Sequence, residues 1–328
     1  MIMKIIIVGG TGFLGYYSVL EALKRDHEVS SISIPDIKLG DWFPEEVSVK
    51  YGNIFEMAFD ELVQVFKGYD GMVYAVGPDD RITPEIPAYK FFHDRLVIAC
   101  TRVIEAAREA GVHRCVVLNS YFAYFDRIWP DNKLAERHSY IKCRVEQAAS
   151  AIEAGGDTME VMVMELPYIF GTMPERVPLW KDALFDRVIG MKVVFFPGGG
   201  TNMIAVEHVA EAIIGALEHG QSGMRYPIGD ENISYKEMLR IVLDTIGLKK
   251  RLIITLPTSL ATIIGKWMKR QEKRKGLESG LDRVYVFNDV LSKNLYFDPT
   301  SSVEELGYKQ GGVREAIEAT VRALYPST

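Results

Sequence analysis

The sequence predicts an α/β protein built on a doubly wound parallel sheet, with a smaller α/β lobe toward its carboxyl end. Three observations carry this. Met3–Val8 is a β-branched apolar run without polar alternation, as expected of a strand buried on both faces of a parallel sheet. It enters Gly9-x-x-Gly12-x-x-Gly15 directly, and FLGYYSVLEALKR follows with Phe13, Leu14, Tyr17, Leu20 and Leu23 at helical spacing. Strand and helix signals then alternate to residue 166, the pattern of a doubly wound, Rossmann-type sheet.

A second strand is expected at Glu28–Ile34 and a short third at Val47–Tyr51. Helix Phe55–Phe66 precedes a fourth strand, Gly71–Val76, which ends at Gly77-Pro78. After the polar loop PDDRITPEIP come a long helix from about Tyr89 to Ala110 and a fifth strand, Val112–Asn119. A loop with Trp129-Pro130 leads to a helix over Tyr140–Ala154 and a sixth strand, Glu160–Leu166. Beyond Pro167 short mixed elements take over, then a glycine loop and helix within 197–220, and a final helix at Val313–Leu324. Residues 1–170 are thus expected to form a dinucleotide-binding domain to which 197–220 returns. Residues 171–196 and 221–328, including Tyr226-Pro227-Ile228-Gly229, are expected to form the smaller substrate-binding lobe.

The glycine segment has a physical reading. Glycine permits a tight turn and close approach of main chain to a pyrophosphate, while the following helix offers free N–H groups and partial positive charge. A purely structural turn is the alternative. Its position between a buried strand and an amphipathic helix favours nucleotide binding.

Composition narrows the function. A chain of 328 residues, 48% hydrophobic and 25% charged, can bury a substantial core. A net charge of −6 argues against nucleic acid as the main partner. Cys100, Cys115 and Cys143 form no CxxC pair, which points to reduced thiols and a cytoplasmic setting. The amino terminus enters a strand at once, leaving no room for a signal peptide, and no run of eighteen apolar residues predicts a membrane span. Six histidines lack metal-ligand spacing, so no metal site is expected. Segment 256–275 is apolar first and basic last. It reads either as a helix covering the cleft with a solvated basic end or as a membrane-surface helix.

These signals, in this order, resemble the extended short-chain dehydrogenase/reductase superfamily, which includes nucleotide-sugar epimerases and dehydratases, dihydroflavonol reductases and 3β-hydroxysteroid dehydrogenases. The resemblance covers nearly the whole chain. VIEAAREAGVHRCVVLNS (103–120) is similar to the family's passage into its catalytic serine, and ELPYIFG (165–171) to the loop at the nicotinamide end. PGGGTNMIAVEHVAEAI (197–213) and FDPTSSVEELGY (297–308) resemble later landmarks of the dihydroflavonol-reductase-like branch.

The resemblance implies a proton-passing tyrosine, a lysine four residues later that lowers its pKa, and a serine that holds the substrate oxygen. Spacing of four puts the two helix side chains on one face. Bringing a tyrosine from pKa near 10 to about 7 takes roughly 4 kcal/mol of preferential phenolate stabilisation, which a neighbouring cation can supply. Ser120 and Tyr140 fall on these positions, but the partner of Tyr140 is Arg144. None of the sixteen tyrosines is followed by lysine at that spacing. Lys142 would point to roughly the opposite side of the helix. Leu96 stands where many relatives carry an asparagine. Arginine supplies a permanent charge and can bond a ribose hydroxyl, but it cannot give up a proton.

The implied cofactor residues are Gly9, Thr11, Gly12, Phe13, Leu14 and Gly15 at the pyrophosphate, with Asn53 and Ile54 at the adenine. Ala75, Val76 and Gly77 lie along the route, and Leu118, Tyr140, Arg144, Pro167 and Ile169 at the nicotinamide end. At the end of the second strand stands Ser33, where an acidic residue would hold the ribose diol and disfavour a 2′-phosphate. Pro35, Asp36 and Lys38 follow, and Lys38 could pair with a phosphate, which tilts the expectation from NAD toward NADP. Asp79, Tyr121 and Tyr124 are the candidate substrate contacts, although a solvated turn and ordinary packing explain them as well.

The expected activity is NAD(P)-dependent hydride transfer at a hydroxyl or carbonyl carbon of a small molecule, with Tyr140 as proton donor or acceptor. The alternative is an NAD(P)-binding regulatory or redox-sensing protein with little or no catalysis. A homodimer through the two long helices is implied by the resemblance.

Overall fold

The computed structural model describes residues 2–35 and 38–326. Its first unit is β1 (Lys4–Val8), α1 (Phe13–Lys24) and β2 (Glu28–Ser33). Ile5 and Ile7 enter the core on one side of the sheet, Ile6 and Val8 the core on the other. An uninterrupted apolar strand is what such double burial requires.

The chain continues through β3 (Ser48–Tyr51), α2 (Phe59–Phe66) and β4 (Gly71–Tyr74). Helix α2 starts four residues later than the sequence suggests. Asn53 Oδ1 accepts the Phe55 N–H and Glu61 Oε2 accepts the Ala58 N–H, so residues 53–58 form a turn and a cap. The expected long helix is α3 (Ala88–Phe92), a π-helical stretch (His93–Ile98) and α4 (Ala99–Glu109) without interruption. Then follow β5 (Arg114–Ser120), α5 (Tyr121–Ile128), the short α6 (Leu134–Arg137), α7 (Ser139–Gly155) and β6 (Glu160–Leu166).

The second half contributes β7 (Tyr168–Phe170), α8 (Asp186–Gly190), β8 (Val193–Phe196), β9 (Gly200–Ala205) and α9 (Val206–His219). Next come β10 (Arg225–Pro227), β11 (Glu231–Ser234), α10 (Tyr235–Thr245), β12 (Leu252–Thr255) and α11 (Thr258–Arg274). The chain closes with β13 (Asn294–Leu295), α12 (Thr300–Leu306) and α13 (Val313–Leu324).

The main sheet has seven parallel strands in the order β10-β6-β5-β4-β1-β2-β3. Val8 is in register with Ile32 on one side and Tyr74 on the other. Strand order reverses between β1 and β4, so the chain leaves a crevice above their carboxyl ends, where ligands of open α/β sheets bind. Helix α9 shares the core of this domain with α1, and an Arg25–Glu218 ion pair ties the two helices.

Two assignments change: Tyr168–Phe170 and Gly200–Ala205, placed by the sequence with the dinucleotide-binding domain, pair in the sheet of the smaller lobe, and one segment moves the other way. Arg225–Pro227 is the edge strand of the main sheet, paired with β6, and not part of the smaller lobe. Three residues are too few to show a strand period, and only the long-range pairing identifies them. The lobe itself contains a four-stranded sheet, β11-β9-β13 with β7 on β9, and the parallel pair β8–β12. Phe170, Phe185, Met238, Val242 and Ile317 lie in its core.

Candidate active site

The glycine loop is built so that backbone fills the space side chains would need. Gly9 has φ +88°, and a Cβ there would lie 2.5 Å from Val76 Cγ1. A Cβ on Gly15 would lie 2.1 Å from the Gly9 carbonyl oxygen, and one on Gly10 would lie 2.5 Å from Ser31 Oγ. Gly12 is the residue before α1, in extended conformation and without a side-chain cap. The first turn carries no acidic residue, so its N–H groups face an anion without competition. Ser33 Oγ accepts the Thr11 N–H at 3.3 Å and bonds Ser31 Oγ at 2.9 Å, anchoring the loop to the end of β2.

Above this loop lies a cavity of about 570 Å³. Of the residues expected at the cofactor, Gly9, Thr11, Gly12, Ser33, Asn53, Ile54, Ala75, Val76 and Gly77 line it. Phe13, Leu14, Gly15 and Leu118 are not part of its lining. Lys38 is exposed and not part of the lining, and Asp36 is outside the described residues. Sequence reasoning missed Ile34, Phe55, Phe91, Arg95 and Arg176, which also line the cavity. Arg95 lies over the Phe91 ring, 4.1 Å from its centroid, one turn apart on the same helical stretch. Their spacing was visible; that the helix crosses the cavity was not.

Beyond Pro78, Tyr140 and Arg144 sit one turn apart on α7; neither they nor Ser120, Pro167 and Ile169 are part of the cavity lining. Arg144 Nε–H donates to Tyr140 Oη at 2.9 Å. Nη1 donates to the Leu118 carbonyl (3.2 Å) and to Gln147 Oε1 (2.9 Å), and Nη2 to the Pro78 carbonyl (3.3 Å). Guanidinium carries five N–H donors, so one on Nη2 is left for a ligand. Asn119 Nδ2 bonds the Arg144 carbonyl and Gln147 Oε1, while Asn119 Oδ1 accepts the Ser120 N–H. One network therefore fixes Ser120, Tyr140 and Arg144 across β4, β5 and α7.

Burial pushes the Tyr140 phenol up to about 12. Arg144 pulls it down, whereas Asp80 and Asp79 push it further up. Burial also holds the Asp80 carboxyl above the usual range, and Asp79 adds to this. The phenol is thus protonated at neutral pH, contrary to the lowered value the family pattern implies. Ser120, at the end of β5, accepts the Phe122 N–H through Oγ at 3.3 Å and caps α5.

Leu96 is fully buried within the π-helical stretch. Its Cδ2 lies 2.8 Å from where a Cβ of Gly77 would be, so an apolar side chain packs where relatives carry an asparagine. Pro167 is buried and Ile169 half-buried; the Ile169 carbonyl accepts the Trp180 Nε1–H at 2.7 Å. Tyr17 Oη donates to the Thr172 carbonyl, tying this loop to α1.

Of the candidate substrate contacts, Asp79 pairs with Arg81, whose guanidinium lies over the Trp180 ring, so this turn is fastened to the lobe rather than freely solvated. Tyr121 is buried, with Oη bonded to Thr201 Oγ1 at 2.9 Å. Tyr124 packs against Phe297, with Arg127 over its ring. Neither lines the cavity. The three cysteines are free and buried. Among the described residues no cluster could hold a metal ion, and no helix is long and apolar enough to cross a membrane.

Comparison with known proteins agrees with this geometry. Residues 9–156 match the family described as NAD(P)H-binding. A Synechocystis protein with the provisional name dihydroflavonol 4-reductase is 22% identical over 344 residues, covering 96% of this chain and 92% of that protein. The mouse sterol-4-alpha-carboxylate 3-dehydrogenase (decarboxylating) is 25% identical over 229 residues, 66% of this chain and 59% of that one. Among solved structures, gox2253 superposes with a TM-score of 0.78 at 18% identity, covering 98% of each chain. The Bordetella bronchiseptica enzyme WbmH, solved with NAD+, gives 0.69 at 15% identity over the full length of both. The glycine cradle, the switch-point crevice and these matches converge: residues 9–156 form an NAD(P)-binding domain, in a chain that is similar along most of its length to proteins named as a reductase and a dehydrogenase.

Proposed function

We propose that the protein is an NAD(P)-dependent oxidoreductase or epimerase in which Tyr140 passes the proton and Arg144 stands in for the usual lysine. The observation that supports this most is the 2.9 Å bond from Arg144 Nε–H to Tyr140 Oη, held by a network reaching the ends of β4 and β5. The residues fit the cofactor, because its cradle is one that any Cβ at Gly9 or Gly15 would fill. Gly9 to Gly15 would hold the pyrophosphate, Asn53 and Ile54 the adenine, and Leu118, Pro167 and Ile169 the nicotinamide end. When bound, the nicotinamide supplies or accepts a hydride at the substrate carbon.

Tyr140 Oη gives a proton to the substrate oxygen in reduction and takes it back in oxidation. Ser120 Oγ orients that oxygen. Arg144 stabilises the phenolate as it forms, through a charge-assisted hydrogen bond and Coulomb attraction. Arginine releases no proton, and Leu96 can carry none. The proton therefore returns to Tyr140 from solvent or from a bound substrate, not through a lysine relay.

NADP is the favoured cofactor. Ser33 presents no carboxylate to repel a 2′-phosphate, and Arg95 adds a cation to the cavity lining. The buried free thiols fit a reducing cytoplasmic setting. A dimer would use the helices α4 and α7.

The test has two stages. Binding of NAD+ and NADP+ is measured by calorimetry, and nicotinamide absorbance is then followed with sugar nucleotides, flavanones and 3-ketosteroids. Turnover that Tyr140→Phe removes, with cofactor affinity kept, supports the reading. Cofactor binding without turnover on any of these classes favours the regulatory alternative, which Leu96 and the high Tyr140 pKa support. No affinity for either dinucleotide sinks both.

A further inference from the structure

We propose that α11 docks the protein on the surface of an anionic lipid bilayer, lying in the interface without crossing it. Leu260, Ile263, Ile264 and Trp267 follow i, i+3, i+4, i+7 spacing and form one stripe. All four are exposed, Ile263 to 63% and Trp267 to 60%. The opposite face is seated on the protein through small residues, Ala261 and Gly265. A Cβ on Gly265 would fall 1.9 Å from the Arg283 carbonyl oxygen, so the helix rests directly on backbone. Lys269 and Glu272 complete this seat by pairing with Asp282 and Arg283. Rolling the helix to bury its apolar stripe would break these contacts. The stripe is therefore held outward.

Charge identifies the occupant. Residues 266–275 hold six cations and one carboxylate in a chain of net charge −6. Lys266, Arg270, Lys273 and Arg274 run beside the apolar stripe at i, i+4, i+7, i+8, and none is in an ion pair among the described residues. Unpaired cations flanking an apolar stripe suit a surface that is apolar beneath and anionic at its boundary. The stripe is convex, and a bilayer yields around a convex helix, whereas a protein partner would need a matching groove. Trp267 lies between the apolar and basic segments, where an interfacial indole is favoured. At 17 residues, about 25 Å, with a strongly charged second half, the helix cannot span. Leu252 and Ile254 on β12 and Phe195 on β8, also exposed, extend apolar surface on the elements that lead into the helix.

The experiment is flotation of the full chain with vesicles of phosphatidylcholine alone or mixed with phosphatidylglycerol. Binding to the anionic vesicles is expected, weakening as salt rises, with little binding to the neutral ones. Each of Lys266→Ala, Arg270→Ala, Lys273→Ala and Arg274→Ala should lower partitioning about fivefold, as expected from the worth of one cation near such a surface. Vesicles should shift tryptophan emission to the blue, and Trp267→Phe should remove that shift. Retained dinucleotide binding shows that each variant is folded. No flotation at low salt overturns the proposal, as does flotation unchanged when all four cations are removed. Self-association without vesicles that Ile263→Ser and Trp267→Ser abolish also overturns it, because the stripe's occupant is then a second copy.

Discussion

The two ends of the candidate site are specified in different ways. At the glycine end, shape comes from backbone: Gly9, Gly10 and Gly15 leave spaces that neighbouring main chain and the side chains of Val76 and Ser31 already occupy. At the tyrosine end, shape comes from side chains, with Arg144, Gln147 and Asn119 linking Tyr140 and Ser120 to the carbonyls of Leu118 and Pro78. A backbone cradle admits few substitutions and so keeps the family pattern. A side-chain network can take arginine in place of lysine and keep Tyr140 bonded, although here Gln147 Nε2 is left buried without a hydrogen-bond partner among the described residues. The departures from the family pattern accordingly fall on side chains, Arg144 and Leu96 at the tyrosine end and Ser33 beside the glycine loop, and spare the glycines.

The largest effect that separates the two ends is expected from Tyr140→Phe, which should lower turnover about 10²- to 10⁴-fold while dinucleotide affinity stays within a few-fold. Steady-state kinetics with calorimetry read both. Turnover that survives would break the comparison.

Gly15→Ala should do the reverse, damaging binding first. The added methyl meets the Gly9 carbonyl oxygen and should cost about 1–3 kcal/mol, read as a drop in thermal midpoint and at least tenfold weaker dinucleotide binding.

Arg144→Lys sharpens the comparison further. An ammonium cannot serve Tyr140, Leu118, Pro78 and Gln147 at once, so turnover should fall about tenfold, consistent with the loss of roughly one hydrogen bond to a charged group. A gain instead would mean that the arginine impairs chemistry and that the site is not built around it.

Ser33→Asp should favour NAD over NADP by about tenfold, measured as a ratio of dissociation constants, because a carboxylate there repels a 2′-phosphate. An unchanged ratio would move the choice of cofactor to other cations lining the cavity.

The smallest effect lies away from both ends. His208 Nδ1 is 2.7 Å from Asp230 Oδ2, and that hydrogen bond raises the histidine pKa above its ordinary value near 6.5. A raised folded-state pKa contributes stability that is full below about pH 6.5 and lost as pH rises through the folded value. The thermal midpoint should drop by about 1–2 °C across that window, and His208→Asn should remove the slope.

How much was legible follows the same division. Glu160–Leu166 and Val313–Leu324 carry enough residues for their period to fix both ends, and the Gly9–Gly15 turn announces itself between strand and helix. Arg95 and Phe91 entered the cavity lining unannounced, because their helix was legible but its path over the crevice depends on packing across the sheet. Gln147 looked like an ordinary polar helix residue, yet it is fully buried and holds both Arg144 and Asn119. Tyr121 was readable as an aromatic near the crevice, but only the lobe strand carrying Thr201 shows how it is covered. Tyr140 was legible as a position and not as an acid, since its raised pKa comes from burial and from Asp80, two turns of reasoning away in the chain.

Gly280 has a mechanical consequence. Its carbonyl accepts the Tyr140 N–H, and a methyl on it would collide with Phe92 and with the Tyr140 Cβ. The chain reaches this contact from α11 within six residues of Arg274. The segment after α11 is thereby tied to the first turn of α7, so a larger residue at position 280 would displace the start of the helix that carries Tyr140.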